Sequence, residues 1–157
     1  MAETLGSLVD KLTIKEIREF HLCQMIGTKD TKFGDKELKS KLAVLKRQKE
    51  CLKQEIDDYV ALALKVKISF KDEKLKLYNA PSDIGCIPRV KSLGEAVVGL
   101  ANKNNELWHL EDEARRKDVG LGYVGGIKRK IDLTNQQRND FIDKIDELFD
   151  RKIQKLK

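Results

Sequence analysis

Residues 5–22 and 93–110 read as two copies of one segment. At a shift of 88, Leu5, Gly6, Val9, Leu12, Lys15, His21 and Leu22 meet Leu93, Gly94, Val97, Leu100, Lys103, His109 and Leu110, seven identities in eighteen ungapped positions. Phe20 meets Trp108, and Thr4 meets Ser92, both good helix N-cap types. The only two histidines of the chain are therefore matched to each other. A weaker match at a shift of 82 pairs Lys46, Arg47, Gln54, Asp58 and Tyr59 with Lys128, Arg129, Gln136, Asp140 and Phe141. The change of shift falls in a turn, where insertions are tolerated. A repeat restricts the architectures open to a chain more than any single motif does.

Each copy predicts an αα-hairpin. The first helix is expected from Thr4 to Ile26 or Gly27, with Gly27 as its stop and residues 28–34 as a polar turn. Asp35 is a good N-cap for the second helix, whose stripe runs Leu38, Leu42, Leu45, Leu52, Ile56, Tyr59, Ala63 and Val66 in steps mostly of three and four. Lys49 occupies the missing place in that stripe. This helix is expected to end near Ser69 or to fray on through residues 71–78. Residues 78–89 hold Asn79, Pro81, Gly85 and Pro88 and read as the one long irregular connection. Ser92 and Glu95 form a capping box that opens the third helix, with the stripe Leu93, Val97, Leu100, Asn104, Leu107, Glu111 and Ala114. Residues 117–126 are expected to turn. The fourth helix then reads Ile127, Ile131, Thr134, Arg138, Phe141, Ile145 and Leu148. The fold predicted is all-α: a four-helix bundle built from two duplicated αα-hairpins with pseudo-two-fold symmetry. It forms a single domain over 1–157, with a first hairpin at about 4–70, a connection at about 71–91 and a second hairpin at about 92–156.

Composition agrees with helices and narrows the function. Of the residues, 37% are charged and 6% aromatic, and both prolines lie in the connection. The net charge of +6 comes from 32 basic residues interspersed with 26 acidic ones, so no purely basic face points to nucleic acid. Cys23, Cys51 and Cys86 are odd in number and lack zinc spacing, which reads as a reducing cytoplasm. No signal-like pattern follows Glu3, and the apolar stretch at residues 60–64 is far too short to span a bilayer.

Polar residues interrupt the stripes of helices three and four. Antiparallel pairing about the second turn puts Asn104 level with Arg138, Leu107 with Thr134 and Glu111 with Ile131. A guanidinium at a core position is costly unless paired. Asn104 could supply a carbonyl, and Glu111 or Asp140 a carboxylate. Either a satisfied layer that sets helix register or a ligand pocket within the second hairpin answers to that pattern. His109 reads as a surface histidine among Asn105, Asp112 and Glu113. His21 has Ile14, Ile17 and Met25 on its face and is expected to pack at an edge. Glu106 and His109 have the spacing of a di-iron ligand pair, but their counterparts are Arg18 and His21, so a dinuclear site is not favoured. Residues 120–126 (GLGYVGG) follow a helix rather than a strand and read as a turn, not a phosphate loop.

Residues 107–116 (LWHLEDEARR), 127–132 (IKRKID), 135–140 (NQQRND) and 145–146 (ID) resemble an uncharacterised bacterial family, domain-of-unknown-function family four-two-five-four. Residues 5–12 (LGSLVDKL) and 76–81 (KLYNAP) are also similar to it, although Ala80 stands where the family's Tyr-Asn-Asp-Pro string has aspartate. The resemblance implies a helical protein with no assigned reaction, set alongside cell-envelope glycan enzymes. Its motif residues are His109, Asp112, Glu113, Arg116, Arg129, Asp132, Asn135, Arg138, Asn139 and Asp140, which makes them the expected ligand-binding set.

The resulting expectation is a non-enzymatic cytoplasmic module without cofactor or metal. It would bind a polar or anionic ligand such as a sugar nucleotide or phosphorylated glycan intermediate, or a partner protein, through arginine forks. The alternatives are a magnesium-dependent hydrolase of a phosphorylated small molecule, with the metal on Glu113, Asp132 and Asp140, and a scaffold that forms a homodimer along a helix face.

Overall fold

The computed structural model describes residues 3–28, 33–68 and 87–156. Four helices make up its elements: α1 (Leu5–Met25), α2 (Asp35–Val66), α3 (Leu93–Ala114) and α4 (Leu121–Gln154). The expected all-α four-helix arrangement is what forms. The Lys71 to Tyr78 extension, Asn79, Pro81, Gly85 and Cys86 lie outside the described residues.

Local chemistry accounts for each end. Thr4 accepts a hydrogen bond from the Ser7 N–H at 3.2 Å and starts α1. Gly27, at φ +86°, takes the left-handed conformation just past the end of α1. Asp35 is not the cap of α2. Gly34 holds that place, and the Asp35 carboxylate accepts from the Gly27 N–H across the turn at 3.4 Å. Ser92 caps α3 by accepting from the Glu95 N–H at 3.1 Å, while the Glu95 carboxylate accepts from the Lys91 N–H at 2.8 Å.

The glycine-rich stretch is a correction. α4 begins at Leu121, not Ile127, so Gly122, Gly125 and Gly126 are helical and the turn is shorter than composition implied. Gly120 caps the helix through bonds from the Tyr123 and Val124 N–H groups to its carbonyl. The Tyr123 hydroxyl then donates to the Glu113 carboxylate at 2.7 Å, anchoring the new first turn to the end of α3. Arg116 joins the same cluster, donating to Glu113 and Asp118. These bonds hold the Glu113 carboxyl below its usual range, the Tyr123 hydroxyl doing most and Arg116 adding to it.

The hairpins are antiparallel, and α1 lies against all three other helices. Leu5 and Leu8 of α1, Tyr59 and Ala63 of α2, Ala96 and Leu100 of α3, and Phe141, Ile142, Ile145, Phe149 and Ile153 of α4 form one buried cluster. Lys49, the polar gap in the α2 stripe, is only 11% exposed and bridges Glu16 and Glu19 of α1. Burial pushes its ammonium down, but the bonds to Glu16 and Glu19 outweigh this and leave it above its ordinary value. An apolar position was thus exchanged for an interhelical charge bridge at the α1–α2 seam.

Positions matched by the repeat do not all share surroundings. Gly6 is buried where α1 crosses α4, and its N–H donates to the buried Asp146 carboxylate at 2.7 Å. Gly94 is exposed, with open space around its Cα. Asp10 is 5% exposed, whereas Val98, its counterpart, is 60% exposed.

Candidate functional site

The polar layer seen in the sequence is real, but its centre is a residue of α1. Asp10 is buried between α3 and α4. Its Oδ1 accepts from Arg138 Nε at 2.8 Å and from Asn104 Nδ2 at 2.9 Å. Its Oδ2 takes the Arg138 Nη2. The second amide hydrogen of Asn104 goes to Thr13 Oγ1 at 2.8 Å, and the Thr13 hydroxyl donates to the Asp10 carbonyl at 2.9 Å. The expected partners of Arg138 are therefore corrected. Neither Glu111 nor Asp140 holds it; a carboxylate 128 residues away does. The reason is geometric: α1 packs into the groove between α3 and α4 and brings Asp10 onto the level that Asn104 and Arg138 share. Two parallel N–H···O bonds to one carboxylate form the strong fork geometry. The bond to Asp10 raises the Arg138 guanidinium above its usual value, with burial opposing.

Beside this layer lies a cleft of about 270 Å³, lined by Ile14, Ile17 and Arg18 of α1, Asn104, Leu107, Trp108 and Glu111 of α3, and Arg115 and Arg138. Its chemistry is that of a small apolar floor edged by three guanidinium groups, the Asn104 amide and the Glu111 carboxylate. Arg115 is matched to Asp112 at 3.0 Å and to Glu111 at 3.6 Å. Arg138 uses Nε and Nη2 on Asp10, and its Nη1 makes no hydrogen bond among the described residues. Arg18 is exposed and has no ion-pair partner among the described residues. Among the described residues, Arg18 is thus the one guanidinium of the three at this cleft that pairs with no carboxylate.

Of the ten residues expected to bind ligand, Arg138 lines this cleft and the other nine do not. Asp112 pairs with Arg115. Glu113 and Arg116 are committed to anchoring the second turn. Arg129, Asp132 and Asn139 are exposed on α4, and Asn135 and Asp140 are half-buried there. His109 is exposed but not isolated, because its ring meets His21 edge-on at a centroid distance of 5.8 Å. His21 itself lies flat on Trp108, with centroids 4.7 Å apart and planes within 3°. The two histidines, read as separate from sequence, are neighbours across the hairpin junction. Among the described residues no group of three or more His, Cys, Asp or Glu side chains could hold a metal ion, so Glu113, Asp132 and Asp140 do not gather into a site.

Sequence reasoning missed Arg18, Trp108 and Asp10 as parts of one site. All belong to, or depend on, the contact between hairpins, which periodicity within either hairpin does not report. One signal was present: Arg18 and Asp10 break α1 with charge on faces that its apolar residues also use.

His21 carries a testable cost. Its Nε2 is buried with no hydrogen-bond partner. An orphaned polar atom of this kind costs about 1–3 kcal/mol. His21→Phe keeps a flat ring against Trp108 and removes the orphan, so thermal unfolding should shift upward, by a few degrees for a gain of about 1 kcal/mol. A downward shift would mean that Nε2 has a partner in solution.

The fold is a four-helix, all-α one, and among the described residues no helix is long and apolar enough to cross a membrane. Residues 95–157, essentially α3 and α4, match the model of an uncharacterised family described as protein of unknown function (DUF4254). That is the family the sequence strings resemble, and the opening and residue 76–81 strings fall outside the matched span. No curated protein and no solved structure matches the chain.

Proposed function

We propose that this protein is a binding module for a compact anionic small molecule, held between its two hairpins rather than inside the second. The observation that carries the reading is Arg18, an unanswered positive charge at the mouth of a cleft floored by Ile14, Ile17, Leu107 and Trp108. Arg138 adds an oriented donor, because Asp10 holds its guanidinium from behind and leaves Nη1 over. The ligand would set its carboxylate or phosphate between these two arginines and its apolar part on the floor. Small-molecule sites usually measure roughly 300–1,000 Å³. At about 270 Å³ the cleft suits a compact ligand and is too small to enclose a whole sugar nucleotide.

Trp108 is the only tryptophan in the chain and lines the cleft, so its fluorescence reports occupancy. Titration with benzoate, inorganic phosphate and glucose 1-phosphate should change that emission saturably for at least one of them. The same probe should raise the melting temperature as ligand linkage requires. Arg18→Gln should remove both effects with little change in basal stability, since Arg18 is exposed and unpaired. A response that is absent, or equal in Arg18→Gln, overturns the reading.

A further inference from the structure

A second groove opens on the other side of Arg18 and Trp108. It measures about 430 Å³ and lies between α1 and α2, floored by Leu22, Met25, Val44 and Leu45 with His21 and Trp108 at its inner wall. Lys15, Arg18 and Lys41 edge it. Lys41 is answered by Glu37, but Lys15 reaches only the neutral Gln48, so two of the three cations have no carboxylate partner among the described residues. Val44, on its floor, is 42% exposed. Arg18 and Trp108 belong to both hollows, so the cationic point of the first is also the entrance of the second.

We propose that the ligand is an amphiphilic monoanion whose head is held at Arg18 and Arg138 and whose hydrocarbon tail lies in the α1–α2 groove. This rests on the reading of the first cleft as an anion site and extends it to a class of ligand. Two features specify that class. Of the two cations without a carboxylate partner among the described residues, only Arg18 belongs to both hollows, Lys15 lining the groove alone, so the shared anchor matches one negative charge rather than the two or more of a diphosphate. Leu22, Met25, Val44 and Leu45 give the groove an apolar floor, with Ser40 and Gln48 also lining it and His21 and Trp108 on the inner wall, so what lies on that floor gains chiefly by being removed from water. A flexible chain entering beside Arg18 satisfies both at once, whereas a polar sugar would leave the floor unused.

The test uses the full chain and a series of straight-chain carboxylates from acetate to decanoate, each below its micelle-forming concentration, read by Trp108 fluorescence. Each methylene taken out of water contributes about 0.8 kcal/mol. The dissociation constant should therefore fall about fourfold per added carbon until the groove is filled. Val44→Gln, at a half-exposed position that the core does not need, should flatten that dependence while leaving the response to benzoate intact. Arg18→Gln should weaken every member of the series. If benzoate or phosphate binds but chain length has no effect, or if Val44→Gln leaves the dependence unchanged, the tail groove is wrong and the anion site stands. If no anion in either experiment binds, both readings fall together.

Discussion

Asp10→Ala is expected to cost about 3 kcal/mol of folding stability, the lower end of the range for breaking a buried ion pair. For a domain of this size that is a fall in melting temperature of roughly 6–12 °C. The variant leaves the Arg138 guanidinium without either of its acceptors and takes from Asn104 one of the two acceptors of its amide group. The Arg138 side chain retains 26% exposure, so water recovers part of the loss and the upper end of the range is not reached. Arg138→Met alone should also destabilise, because Asp10 then stays buried with only the Asn104 amide to meet its charge. The pair Asp10→Leu with Arg138→Met should recover most of the loss, since removing both charges removes the desolvation cost as well. A double-mutant cycle closed with Asp10→Leu and Arg138→Met as the single variants, measured by denaturant titration, gives the coupling directly. Strict additivity of the two single changes would show that the fork does not hold the hairpins together.

Gly6→Ala is the second large effect, expected at about 2–3 kcal/mol, as overpacking at a tight contact typically costs. A Cβ on Gly6 would fall well inside contact distance of the Ile142 carbonyl oxygen and about 3.1 Å from Asp146 Oδ1. The obstacle is backbone, which cannot rotate away as a side-chain tip can. Relief requires α1 to lift from α4, and that stretches the Gly6 N–H to Asp146 bond. Gly94→Ala, at the matched position of the repeat, meets nothing within 4 Å. It should be neutral or stabilising by less than about 1 kcal/mol, the helix preference of alanine over glycine. Chemical denaturation of the two variants, compared at a common slope, checks the contrast. Similar losses at both positions would mean that the two glycines serve one structural purpose.

The candidate site was legible in fragments. Asn104 and Arg138 announced themselves by interrupting apolar stripes, and their shared level followed from the turn between α3 and α4. The partner did not follow, because no local spacing links Arg138 to Asp10. Glu113 and Arg116 looked like ligand groups because they are polar and belong to a family string, yet the anchoring of Tyr123 uses them. The glycines at residues 122, 125 and 126 read as turn because glycine disfavours helix, yet the cost is only about 1 kcal/mol each. A hydroxyl–carboxylate bond and a helical stripe continuing behind them are enough to overcome that.

Within each hairpin, the sequence alone determined the helices, their caps at Thr4 and Ser92, the stop at Gly27 and the apolar stripes. These depend on groups three or four residues apart, and such spacings are written directly in the chain. Only the tertiary structure decided which matched residues would differ: Gly6 pressed against α4 while Gly94 faces open space, and His21 laid on Trp108 while His109 meets it from outside. It also decided that the charge at Asp10 would meet Arg138, and that Arg18 would be left over at the junction. Those outcomes depend on how one hairpin seats against the other, and burial and pairing across that contact are properties of the packed helices together.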